Sequence, residues 1–127
     1  MLEIFIVTER ELKLRTRKFA VEILNFVDSL PNRKSAVIIA NQLGRSASSV
    51  AANYRAACRA RSHAEFISKI GIVEEEADES TLWLDIIVDT KNATQLVVEP
   101  LLKEARELTA IFTATSKTAK QNHLKKK

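Results

Sequence analysis

Core-type positions recur along the chain in alternating steps of four and three. Leu12, Thr16, Phe19, Ile23, Phe26 and Leu30 trace one such stripe, which predicts a helix with a single face turned to a core. Thr8 and Glu11 stand before it with the spacing of a capping box, in which each side chain can satisfy the other's free backbone N–H. Pro31-Asn32 ends the helix, because proline disfavours helical backbone in the residue before it. A second helix is predicted over about 33–60, with Ile39, Leu43, Ala47, Val50, Tyr54 and Ala57 inward. Ser62 and Glu65 form another capping box and open a third. Its stripe is Phe66, Ile70, Val73, Ala77, Thr81, Leu84 and Ile87, and it should fray near Thr90. A fourth covers about 94–118, with Leu101, Ala105, Leu108, Phe112 and Thr115 inward; Pro100 is either its first turn or a kink.

Four long helices with short connections predict an all-α, antiparallel up-down-up-down four-helix bundle. Composition agrees: two glycines and two prolines in 127 residues are too few for a sheet with tight turns. Residues 1–118 should form the bundle domain and residues 119–127 a basic, disordered tail. The single cysteine, Cys58, excludes an internal disulfide framework and any multi-cysteine zinc site, and suits a reducing cytoplasm. The opening MLEIFIV has no basic lead, so no targeting segment is expected. Apolar runs such as AVIIA (36–40) are far too short for a bilayer, so no membrane partner is expected.

Within the second helix, Gln42, Ser46, Ser49 and Asn53 form a line of uncharged polar side chains at steps of four, three and four. The line could be a ligand surface. The adopted expectation is helix packing or an interface, because serine lets helices approach and amides can hydrogen-bond across a gap.

The same segment carries a resemblance. Gln42-Leu43, Arg45-Ser46, Ser49, Ala52-Asn53-Tyr54, EFISK (65–69), EADES (76–80) and Trp83-Leu84-Asp85 keep their mutual spacing. Together they resemble the four-helix bundle protein family, also called the 23S rRNA intervening-sequence protein family, over roughly residues 8–118. Leu82-Trp83 departs from the aromatic pair of many members. The resemblance implies a small bacterial, cytoplasmic bundle that assembles as a homopentamer. It also implies kinship with the accessory protein of diversity-generating retroelements, a nucleic-acid-binding pentamer.

Charge then matters more by place than by sum. The net charge is only +4, yet residues 31–64 hold six basic and no acidic groups, while 65–90 hold one basic and eight acidic. An up-down topology gathers residues 8–15, 55–69 and 113–127 at one pole, with twelve basic side chains against three acidic. In a cyclic assembly such poles point the same way and form a basic face that attracts phosphate backbone without reading sequence. Arg55, Arg59 and Arg61 are expected to hold phosphate, with Lys117 and Lys120 beside them and Arg10 and Lys13 at the rim. The bland reading is a solvated charge pattern.

The acidic run VEEEADE (73–79) lacks the Glu-x-x-His pairs of metal-binding bundles, so no metal is expected. Glu75 and Glu79 are expected to face the basic second helix, with Arg45 as partner within or between subunits. Cys58 has no evident base partner, and no Ser–His–Asp set or glycine-rich phosphate loop appears. Trp83 and Tyr54 are expected in core or subunit packing rather than base stacking. The sequence thus predicts a non-enzymatic, cofactor-free homo-oligomer that binds RNA or DNA. The competing prediction is a scaffold that captures a protein partner.

Overall fold

The computed structural model describes residues 8–125; MLEIFIV, Lys126 and Lys127 lie outside the described residues. It contains α1 (Glu9–Asp28), α2 (Lys34–Cys58), α3 (His63–Asp89) and α4 (Gln95–Lys125). Each helix packs on its sequence neighbours, and α1 meets α4 to close the ring, while the backbones of diagonal helices stay apart and meet only through core side chains. This is the predicted antiparallel four-helix bundle. The ring is uneven: α2 and α4 both pack extensively on α3, whereas α1 rests mainly on α2 and touches α4 only lightly.

The core follows the four-three stripes. Phe19 and Ile23 of α1, Leu43 and Val50 of α2, Ile70 and Leu84 of α3, and Leu102, Leu108 and Phe112 of α4 are all essentially inaccessible to solvent. Tyr54 and Phe112 meet near the basic end with ring centroids 5.3 Å apart and planes tilted by 50°. Two border positions differ from expectation. Ser80 is buried rather than Thr81, and Ser116 rather than Thr115. Thr81 and Thr115 instead sit half-buried and bond the carbonyls of Ala77 and Ile111 four residues back.

The helix ends show why these segments start and stop where they do. Thr8 Oγ1 accepts the Glu11 N–H at 3.1 Å, and Ser62 Oγ accepts the Glu65 N–H at 3.0 Å. The return half of the second box is displaced: Glu65 takes the N–H of Arg61 at 3.3 Å. Replacing Ser62 by alanine should cost about 1 kcal/mol in urea denaturation. An unchanged midpoint would show that this cap contributes nothing. Helix α3 ends in a Schellman motif: the Lys91 N–H reaches the Val88 carbonyl, and the Asn92 N–H reaches that of Ile87. Lys91 occupies the left-handed position at φ 61°, where glycine is usual.

Helix α4 is longer than the sequence suggested at its far end. It begins at Gln95, where Thr94 Oγ1 accepts the Val97 N–H at 3.4 Å. Pro100 therefore lies in the second turn, and the Leu96 carbonyl loses its helical donor. At the other end the helix runs to Lys125 instead of stopping near 118, so 119–125 is helical rather than a disordered tail. Ala119 is buried there, and His63 Nε2 bonds its carbonyl at 2.8 Å.

Candidate nucleic-acid interface

The antiparallel order brings the start of α1, the end of α2, the start of α3 and the end of α4 to one end of the bundle. Two contacts fix this locally. His63, first residue of α3, stacks on His123 of α4 with ring centroids 5.1 Å apart. Lys13 of α1 and Arg55 of α2 line a common groove. Arg10, Lys13, Arg55, Arg59, Arg61, Lys117 and Lys120 thus lie on helix segments or a turn belonging to that end. All seven are also exposed.

Their charges are not equally available. Lys13 pairs with Glu9 at 3.0 Å, and its ammonium holds the Glu9 carboxyl below the usual carboxylate value. Arg61 meets Glu65 at 3.4 Å across one turn. Arg15 belongs by sequence to the basic pole, but it faces α4. It grips Glu104 with both Nε and Nη2, at 2.8 and 2.7 Å, and reaches Glu107 at 3.0 Å. The Glu104 hydrogen bonds raise its already high pKa further, so its charge is committed inside the fold. No acid within 4 Å pairs with Arg10, Arg55, Arg59, Lys117 or Lys120 among the described residues.

The polar line of α2 divides by depth. Ser46 is fully buried and shares a 2.9 Å hydrogen bond with Ser80, which joins α2 to α3 at a seam narrow enough to need small residues. Each hydroxyl is also within reach of a carbonyl of its own helix, Leu43 for Ser46 and Glu76 for Ser80. Asn53 turns back on its own helix, donating to the Ser49 carbonyl at 3.0 Å and to Ser49 Oγ at 2.8 Å. Gln42 is exposed.

Arg45 crosses to α3, where it pairs with Glu76 at 2.7 Å and also with Glu79. Glu79 additionally accepts the Trp83 indole N–H at 3.3 Å. The expected Glu75 is the wrong neighbour: it projects to solvent, one residue and about 100° around the helix from Glu76. The hydrogen bond to Glu76 is the main cause of a raised Arg45 pKa. Arg45 is half-exposed, so the cluster adds only about 0–1 kcal/mol. Glu74 receives the Thr113 hydroxyl at 2.7 Å, so the acidic run braces α3 against both of its neighbours.

Tyr54 is buried, and Trp83 packs at the edge of the core. Burial raises the Tyr54 phenol well above its ordinary value and pushes the Cys58 thiol up as well. Iodoacetamide at pH 8 should therefore modify Cys58 more slowly than an unhindered thiol. A rate matching free cysteine would contradict that environment. Among the described residues no three His, Cys, Asp or Glu side chains converge on a metal-sized site. No described helix is long and apolar enough to cross a membrane.

Three features escaped the sequence reading. Arg17 shares the Lys13–Arg55 groove but was not among the expected binding residues. Glu76, not Glu75, is the partner of Arg45. At the opposite end, buried Asn92 accepts from Arg33 at 2.9 Å and donates to Ser35 at 3.1 Å, tying the α3–α4 turn to the start of α2. A helical period could have offered Arg17, one turn after Lys13; nothing in the chain announces Asn92.

Comparison with known proteins adds the lineage. A crystal structure of a protein of unknown function from the S23 ribosomal protein family of Bacteroides thetaiotaomicron is similar, with a TM-score of 0.79 and 30% identity. The match covers 86% of this chain and 97% of that one. No curated protein matches the sequence. The family model described as 23S rRNA-intervening sequence protein matches residues 9–114, the greater part of all four helices. The chain therefore belongs to the 23S rRNA-intervening sequence protein family.

Proposed function

We propose that this protein is a non-enzymatic, cytoplasmic homopentamer whose basic end binds the phosphate backbone of RNA or DNA. The observation that carries the reading is the gathering of Arg10, Arg55, Arg59, Lys117 and Lys120 toward one end with no acid paired to them among the described residues. Arg61 and Lys13 add donors at the same end, although each has a weak exposed acid partner. Closed rotational symmetry multiplies this face by the number of copies. The sequence resemblance, which implies kinship with the retroelement accessory protein, points in the same direction. Self-association has its own support in Val21 and Ile38, which are more than half exposed on the outer faces of α1 and α2. The apolar surface of Val21 and Ile38, away from the Leu14 groove, also supports the second reading, a scaffold whose physiological partner is a protein.

The test is fluorescence anisotropy with a labelled RNA and a DNA duplex over a salt series, beside mass measurement in solution. Five phosphate contacts predict a fall in duplex affinity on the order of 10²–10³ between 50 and 200 mM salt. Affinity indifferent to salt, or no binding at the lowest salt, would overturn the backbone reading. A monomeric mass would remove the ring.

A further inference from the structure

Between the first half of α1 and the last half of α2 lies an open groove of about 440 Å³. Its floor and wall are small and mainly apolar: Ala51, Ala52 and the hydroxyl-bearing Ser48 from α2, with Leu14 rising from α1. Leu14 is 59% exposed, so the fold leaves this surface uncovered. Three cations stand on the rim, Lys13 and Arg17 from α1 and Arg55 from α2, and no acidic side chain lines it. Lys13 pairs outward with Glu9, whereas Arg17 and Arg55 have no acid partner within 4 Å among the described residues.

An apolar trough ringed by one sign of charge fits a ligand that is flat and apolar in its middle and anionic at its edges. A second copy's helix entering here would need acids matched to all three cations. A nucleotide within a chain has the complementary chemistry built in: a base with two π faces, flanked by a phosphate on either side. Guanidinium groups suit both parts, because they hold phosphate through paired N–H donors and lie flat on aromatic rings. A duplex offers phosphates only. Its bases are stacked inside a rod too wide to enter a groove between helices packed about 8–10 Å apart.

We propose that this groove receives an unpaired nucleobase, with the adjoining phosphates on Arg17 and Arg55, so that the protein prefers single-stranded nucleic acid to duplex. This rests on the backbone reading and refines it: the basic end supplies affinity, and the groove supplies the choice of strand state.

The experiment compares a 20-nucleotide single-stranded RNA with the same sequence annealed to its complement, at one salt concentration, for the wild type and Ala52→Leu. Leucine suits an exposed helix position and leaves the charge unchanged, and circular dichroism checks the fold. The wild type should bind the single strand more tightly. Ala52→Leu should weaken single-strand binding by about tenfold, the loss of roughly one stacked base, and duplex binding by less than about twofold. A second variant, Arg17→Gln with Arg55→Gln, should weaken both. A wild type that binds the two probes alike, or an Ala52→Leu protein that behaves as the wild type, would overturn this inference and leave the backbone reading standing. A changed oligomeric mass in Ala52→Leu would also overturn it, by making the groove a subunit contact. A wild type inert towards both probes would remove the backbone reading and this inference together.

Discussion

Replacing Phe112 by alanine should lower the unfolding free energy by about 3–5 kcal/mol, the largest stability effect expected of one substitution in this chain. The ring is wholly buried and packs against Tyr54, itself a buried residue of α2. Two losses add. The apolar area returns to water on unfolding with less gain for folding, and the space left behind keeps its lining atoms short of partners. Relaxation is limited here, because the core that holds the ring draws on all four helices, which cannot all move inward. Urea denaturation of the purified variant reads the effect directly. A loss below about 1 kcal/mol would mean that the end of the bundle collapses onto the gap and that packing near the basic end is looser than described.

Charge reversal gives the largest expected functional effect. Changing Arg59, Arg61, Lys117 and Lys120 to glutamate should reduce nucleic-acid affinity by more than about 10²-fold at moderate salt. The duplex salt slope should fall by about 0.9 for each phosphate that is no longer neutralised. The fold should survive, since all four side chains are exposed and none is part of the core. Arg61→Glu exchanges a weak attraction to Glu65 for a like-charge pair one turn apart, worth a few tenths of a kcal/mol, while the start of α3 favours the added acid. Lys117→Glu and Lys120→Glu place acids near the unfavourable end of α4, again at small cost. If the variant keeps its oligomeric mass and no longer binds nucleic acid, backbone binding stands. If it keeps its affinity, the basic end is a solvated charge pattern and the scaffold reading takes its place.

The four helices were legible because burial writes a period into the sequence. All six positions assigned to the inner face of α2 are buried, and Thr8 and Ser62 cap the helices they were expected to cap. Period alone resolves a face only to within a neighbouring residue. Ser80 beside Thr81 and Ser116 beside Thr115 are chemically alike, and the approach of the adjacent helix decides which one turns inward. Partners across a seam depend on the vertical register of two helices, which no single helix encodes. Hence Arg45 meets Glu76 where Glu75 was expected, and Arg15, placed by sequence at a solvent-facing pole, is neutralised by α4. The length of α4 was hidden for a related reason. Its last turns are polar in composition, and they join the bundle through one buried alanine and a histidine from another helix.

The slight contact of α1 with α4 has a mechanical consequence. The described chain starts and finishes at the same end of the bundle, so tension applied between its two extremities pulls those helices directly apart. Such loading breaks contacts one after another instead of all at once. The Arg15 fork on Glu104 is the principal fastener along that seam, and beyond it little resists peeling. The molecule should therefore be compliant when stretched from its tips, while the three-rod remainder around α3 stays rigid under the same force.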